Sequence, residues 1–312
     1  FRQGLCFHPD SSTPLLAAAS ADRTVRVWDL RHNACIAVLQ HTSQVFTAHF
    51  HDSGRLLATT PWDASLCLWR WPEAQASTAG PPTRLMHPNN VRDSSFDPLG
   101  DHKVATAAGE SLTIWDLQTE QTALLLADAH QDQIQSINYA GAAHGSLIAS
   151  ASSDLAAKVW DLRSVACVHT LSGHTDTVRS VCFGPDNSTT FLALTASDDE
   201  TLALWDMRDT SQPLRKMEGH NVSYLHAVFH PDGKLIASAE YSSGVYVWDV
   251  DTGRELKQIA PSLPESHACT VEFSPDGQLL ASSGLNRVCL SSLPSYEALV
   301  SAPDIDSDGD TD

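Results

Sequence analysis

Fifteen histidines, seven cysteines and 38 acidic residues in a chain of 312 supply ample material for metal binding or nucleophilic catalysis. Either chemistry needs its groups brought to one centre. Catalytic zinc sites space two histidines as His-Glu-x-x-His on one helix face, and structural zinc sites use Cys-x-x-Cys pairs. The sequence contains neither, and it lacks both a Gly-x-Ser-x-Gly nucleophile elbow and a glycine-rich phosphate loop. Five histidines, His41, His87, His130, His174 and His220, instead recur at a regular interval. Residues in different repeats cannot converge on one ion, so no metal, cofactor or catalytic residue is expected.

Charge narrows the field further. Lys and Arg total 19 against 38 Asp and Glu, a formal net charge of −19. Phosphate-backbone binding needs neutralising cations, so direct nucleic-acid binding is not expected, and an anionic membrane surface is equally unsuited. No segment reaches the roughly 20 apolar residues that span a bilayer. The chain opens on Phe1 without a charged-then-apolar leader and reads as a fragment whose upstream segment is missing.

The elements that must position these residues repeat. Trp28, Trp69, Trp115, Trp160, Trp205 and Trp248 are spaced by 41, 46, 45, 45 and 43 residues. One further step of 43 reaches Ser291, in a stretch (Val288 to Leu293) that superimposes on Val25 to Leu30. The count is seven periods, the last degenerate. Each has a short strand ending in an aromatic (Val181-Cys182-Phe183), a Pro/Asp/Gly turn (Ser274-Pro275-Asp276-Gly277), a second apolar run and an alternating run closing on tryptophan. A weaker fourth run follows, such as Cys35 to Leu39, and Tyr296 to Ser301 is expected to be the last of these outer strands. Short alternating runs at even spacing read as all-β. The Trp71 to Arg84 connection, rich in Pro, Ala and Ser, reads as a projecting loop.

These features resemble the WD40 family over nearly the whole chain. Trp-Asp pairs stand at 28–29, 115–116, 160–161, 205–206 and 248–249, with Trp69-Arg70 departing, and only His174 and His220 keep the family's preceding glycine. The resemblance implies an all-β, seven-bladed propeller of four-stranded antiparallel blades over residues 1–302, followed by an acidic, disordered tail at 303–312. Asp304 to Asp312 also matches the first half of a calcium loop and carries an acidophilic kinase pattern at Ser307. Within that fold, Cys6 and Cys182, like Cys35 and Cys167, fall at equivalent places in separate blades, too far apart to pair. Unpaired cysteines favour an intracellular setting, cytoplasmic or nuclear. The sequons at Asn187 and Asn221 point weakly the other way.

The family also implies roles for single residues. His130, Ser152, Asp154 and Trp160 in blade four, and His174, Ser197, Asp199 and Trp205 in blade five, should form hydrogen-bonded chains tying the loop before each blade to its third strand. Blade two has Pro61 at the serine position, blade three has Ala107 and Gly109, and blade six has Glu240 and Ser242. The residue after the first apolar position of each inner strand should line the channel mouth: Gln3, Phe46, Arg92, Gln135, Arg179, Leu225 and Cys269. The turn between second and third strands should be crowned by Trp62, Asp198 and Tyr241, among others. Arg92 and Arg179 would there anchor a carboxylate or phosphate. Arg31, Arg163 and Arg208, each in a Trp-Asp-x-Arg sequence, resemble the DWD box that reaches a ubiquitin-ligase adaptor.

The expected function is a non-catalytic protein–protein interaction scaffold that docks peptide motifs or subunits of a multiprotein complex, with no membrane association. Alternatives are a DWD-type substrate receptor of a cullin–RING ubiquitin ligase and, from other classes, a propeller enzyme or an RNA-associated module.

Overall fold

A computed structural model describes residues 4–72, 81–100, 102–186, 190–220, 222–241, 244–259, 270–284 and 287–300. Its strands form seven antiparallel meanders in chain order. Blade four shows the pattern: an inner strand Ile134–Tyr139, then Leu147–Ser152, Ala156–Asp161 and an outer strand Ala166–Ser172. The inner strands of the other blades are Leu5–Phe7, Val45–Phe50, Val91–Phe96, Val178–Phe183, Tyr224–Phe229 and Thr270–Phe273. The expected seven-bladed all-β propeller is therefore what the chain adopts.

Apolar side chains on both faces of the second and third strands explain why the blades assemble. Leu192–Ser197 is buried at every position, for example. A sheet buried on both faces needs a neighbour on each side, and a ring provides it. One core cluster fills each of the seven seams, such as Leu39 with Phe50 and Trp71 between blades one and two, or Leu171 with Phe183 and Trp205 between blades four and five. Inner strands would leave N–H groups unpaired toward the channel. A polar side chain of the preceding blade takes one such group in four blades: Cys6 Sγ accepts from Phe50 N at 3.3 Å, Ser95 from Tyr139 N at 3.0 Å, Asn138 from Phe183 N at 3.0 Å and Ser180 from Ala227 N at 3.2 Å.

Histidines in the lower turns add a second kind of seam contact. His8 Nε2 donates to Gly54 O at 3.3 Å and His230 Nε2 to Gly277 O at 3.0 Å, each ring standing edge-on to the next blade's aromatic, Phe50 or Phe273. Gly54 and Gly277 both adopt left-handed φ (+67° and +72°), and a Cβ on either would run into the histidine ring.

The last blade differs from expectation. Tyr296–Val300 is a short helix, and among the described residues blade seven has three strands. Ser295 explains the switch: it sits at the helix start, its Oγ near Ala298 N at 3.4 Å and its carbonyl accepting from Leu299 N at 3.0 Å. Leu299 is then buried against blades six and seven, and Tyr296 donates to Asp249 Oδ2 at 2.7 Å. Blades seven and one meet, among the described residues, by side-chain packing of Leu5, Phe7, Leu16 and Ala18 against Ala281 and Leu279. Most of the Trp71 to Arg84 loop, the whole Asn187 sequon, Asn221 of the second sequon, and the tail from 301 onward lie outside the described residues.

Candidate functional site at the channel mouth

Five inner strands carry a β-bulge at the same height. In blade four, Ile134 pairs with Ser152 and Ser136 with Ala151, so Gln135 is the extra residue. Arg179 and Leu225 are skipped in the same way in blades five and six, Arg92 in blade three, and Phe46 falls within the corresponding irregularity in blade two. A bulge re-aims its side chain away from the regular pleat. Here it turns one residue per blade to the mouth, where Phe46, Arg92, Gln135, Arg179 and Leu225 line a pocket of about 290 Å³ together with Asp198, Ser223 and Tyr241.

The crown residues are fixed by backbone bonds to the loop preceding their own blade. Trp62 N donates to Gln44 O at 2.7 Å, Asp198 N to Thr177 O at 2.9 Å and Tyr241 N to Ser223 O at 3.0 Å. Trp62 is 43% exposed and Tyr241 58% exposed. Phe46, by contrast, is buried beneath its neighbours: the Trp62 ring lies 5.6 Å away and the Arg92 guanidinium 5.1 Å above its centroid. Arg92 Nη2 also donates to Gln133 Oε1 at 2.8 Å, and Gln135 Nε2 to Ser153 Oγ at 2.9 Å. Both Nε and Nη2 of Arg179 donate to Asp198 Oδ2, the first at 2.7 Å. The sequence projection thus brings together the described residues it assigned to the mouth. Gln3 and Cys269 lie outside the described residues.

Below the mouth, the channel holds a pair that the repeat did not mark. His49 Nε2 donates to Asp93 Oδ1 at 3.1 Å, and Asp93 Oδ2 accepts from Ile137 N at 3.1 Å. Burial opposes protonation of His49, but Asp93 and the neighbouring Cys6 outweigh it and hold its pKa well above the ordinary value. This pair joins blades two, three and four. It lies at no consensus position, so only the alternation of the inner strand could have pointed to it.

The hydrogen-bonded chains of blades four and five form, with one correction. His130 Nδ1 meets Asp154 Oδ2 at 2.8 Å, but its Nε2 meets Ser150 Oγ at 2.7 Å, and Trp160 Nε1 donates to Ser150 at 2.9 Å. In blade five, His174 meets Asp199 at 2.9 Å and Thr195 at 2.7 Å, and Trp205 donates to Thr195 at 3.0 Å. Ser152 and Ser197, expected in the linking position, donate instead to loop carbonyls, Asp132 and Gln133 or Asp176 and Thr177, and accept from the amides of Asp154 and Asp199. The reason is register. Trp160 pairs directly with Ile148, making Ser150 its diagonal neighbour and placing Ser152 one step beyond. The same diagonal site holds Thr59, Thr106 and Ser238, each of which accepts from its blade's tryptophan.

Ser150, His130 and Asp154 reproduce the connectivity of a hydrolase triad. Ser150 is completely buried, however, and its oxygen already takes the Trp160 indole, so no substrate carbonyl can approach it. Blade six substitutes Glu240, fully buried, for the aspartate; it bonds His220 Nδ1, while Glu255 lies 2.9 Å from Nε2. Among the described residues no group of three or more His, Cys, Asp and Glu is placed to hold a metal ion, and no disulfide joins the six described cysteines.

On the opposite face, Arg31 donates to Ser12 O, Arg208 folds onto Asp206 with Nε at 2.9 Å, and the Arg163 side chain is exposed. They come from blades one, four and five.

Comparison with known proteins agrees with this architecture. The family model "WD domain, G-beta repeat" matches residues 3–29, 33–70, 165–206 and 211–249. WD repeat-containing protein 37 of Mus musculus is 26% identical over 77% of this chain and 47% of its own length. Apoptotic protease-activating factor 1 of Rattus norvegicus is 29% identical over 90% of the chain and 25% of its own. Nuclear distribution protein PAC1 of Arthroderma otae is 30% identical over 68% of the chain and 46% of its own. The chain spans a quarter to about half the length of these relatives. Four matched repeats and a closed ring of seven blades define a WD-repeat β-propeller. The chain belongs to the WD40-repeat family, whose fold serves in general as a protein-interaction module.

Proposed function

We propose that this propeller is a non-catalytic scaffold within an intracellular multiprotein complex and that it docks a peptide segment of a partner at the channel mouth. The observation that carries the reading is a pocket lined by two arginines and by the exposed Tyr241, with the exposed Trp62 packed on the Phe46 that also lines it. Trp, Tyr and Arg are the side chains most enriched at binding hot spots. Trp62 lies outside the repeat positions of the tryptophans, and its ring packs 5.6 Å from that of Phe46.

The ubiquitin-ligase reading has less support, because Arg31 and Arg208 turn back onto their own blades. An enzyme would need an accessible centre, and the triad-like sets are sealed. The net charge of −19 weighs against an RNA-associated module. Six described cysteines that form no disulfide are compatible with a reducing compartment.

The test is affinity purification of the full-length protein, wild type beside Trp62→Ala and Arg92→Ala, read by mass spectrometry with melting temperature as control. A coherent set of partners lost in both variants, with melting lowered by only a few degrees, is the expected result. Partners retained by both variants would move the interface elsewhere and refute the reading.

A further inference from the structure

The two arginines at the mouth are not equivalent. Arg179 is already neutralised by Asp198, which accepts from both its Nε and Nη2. Arg92 is half-buried, and its partners among the described residues are the neutral amide of Gln133, at 2.8 Å, and the face of Phe46, at 5.1 Å. No carboxylate faces it there. Desolvation and the nearby charge of Arg179 both disfavour its protonated form, a penalty that no local acid offsets. In a chain with twice as many acidic as basic residues, a desolvated cation without an acid is an exception.

We propose that Arg92 is a carboxylate anchor: it receives a single acidic side chain of the docked segment, while Asp198 keeps Arg179 out of use. The inference rests on the docking reading above and names the chemistry of its ligand. A guanidinium has five donors in a planar fork, so Arg92 can hold Gln133 and still meet a carboxylate bidentately. One monoanion balances one uncompensated charge. A phosphorylated side chain brings a charge of about −1.5 to −2 and would face the Asp198 carboxylate within the same pocket. About 290 Å³ accommodates one or two side chains, and Leu225 and Tyr241 provide an apolar wall beside the anchor. The preferred segment therefore carries an acidic residue next to an apolar or aromatic one.

The experiment pans a phage-displayed random heptapeptide library on the full chain. The selected sequence is then synthesised with Glu, Gln or phosphoserine at the anchor position. Binding is followed by fluorescence polarisation to wild type, Arg92→Gln, Arg92→Lys, Asp198→Asn and Trp62→Ala, each checked for an unchanged circular dichroism spectrum. Enriched peptides carry Asp or Glu, and changing Glu to Gln weakens wild-type binding by about tenfold or more while hardly affecting Arg92→Gln. Arg92→Lys retains part of the discrimination, and Asp198→Asn gains affinity for the phosphoserine peptide. Equal binding of the Glu and Gln peptides to wild type, or tighter binding of phosphoserine, overturns the anchor. If binding is then still lost in Trp62→Ala, docking at the mouth survives without it. Peptides indifferent to both Trp62→Ala and Arg92→Gln, or no enrichment at all, refute docking and anchor together.

Discussion

His87 should make blade three an acid-sensitive part of the ring. In blades four and five the corresponding imidazole has an aspartate on Nδ1 and a hydroxyl on Nε2. Blade three has Gly109 in the aspartate's place, and His87 Nε2 is buried without a partner among the described residues. The ring packs edge-on against Trp115 at 5.1 Å. Burial alone sets its protonation and pushes its pKa from 6.5 down to about 4. Between those two values the unfolded chain binds a proton that the folded chain does not. The contribution is therefore fully present above the unfolded value and is lost as pH falls toward the folded one, by up to ~1.4 kcal/mol per unit. Over the whole window the loss is about 3 kcal/mol. His41 is also lowered to about 4, by burial and by Arg84 against the opposing pull of Asp63, so the informative quantity is a difference. Urea unfolding followed by tryptophan fluorescence, at half-unit steps from about pH 7 to 5, would compare wild type with His87→Leu, and with His87→Gln as a packing control. Whatever the offset at pH 7, the stability of wild type relative to either variant should fall by about 2 kcal/mol by pH 5. Parallel curves would refute the reasoning, because they would mean that His87 titrates alike in both states.

Two further substitutions probe the scaffold. Ser150→Ala leaves both His130 Nε2 and Trp160 Nε1 without their partner and should cost about 2–4 kcal/mol in urea unfolding. It should also shift the Trp160 indole N–H resonance, whereas Ser152→Ala should not; a shift in Ser152→Ala alone would restore the serine assignment made from sequence. Gly277→Ala forces a left-handed φ of +72° on a residue with a Cβ and drives that carbon into His230, so a loss of about 2 kcal/mol or more is expected. Gly100→Ala, where a Cβ meets nothing within 4 Å, should be near neutral, and equal losses at both sites would remove the seam contact from the account.

The period of the tryptophans, extended one step to Ser291, was enough to count the blades, because a ring of like sheets repeats the same strand positions at each turn. The chemistry within a blade was less legible. Ser150 and Ser152 both stand on the second strand two residues apart, and only the pairing of Ile148 with Trp160 decides which hydroxyl reaches the indole. Pairing register is a relation between strands that no single run displays. The end of the chain failed for a different reason: Tyr296 to Val300 has an apolar content that suits strand or helix, and the outcome turns on Ser295 and on where Leu299 can be buried. Glu240 in blade six was legible as a substitution, but Glu255 as the second carboxylate on His220 was not, since it comes from the outer strand 35 residues away.

Phe46, Arg92, Gln135, Arg179 and Leu225, projected to the mouth from sequence, line one pocket, yet the bulge that turns them there was invisible, and it matters for what the protein can evolve to bind. Each inner strand divides its work along its length. Its lower part supplies the core side chains and the polar caps that lock one blade to the next, as Cys6, Asn138 and Ser180 do. In blades three to six its upper end carries one bulged residue removed from the regular pairing. A side chain at the bulge can thus range from Leu225 to Arg179 without disturbing either the ladder or the seam. Neighbours that do constrain it, such as Gln133 on Arg92 and Asp198 on Arg179, come from loops of the upper face rather than from the core. Ligand choice at the mouth is for that reason separable from stability, which is why substitutions at Arg92 are expected to alter binding far more than folding.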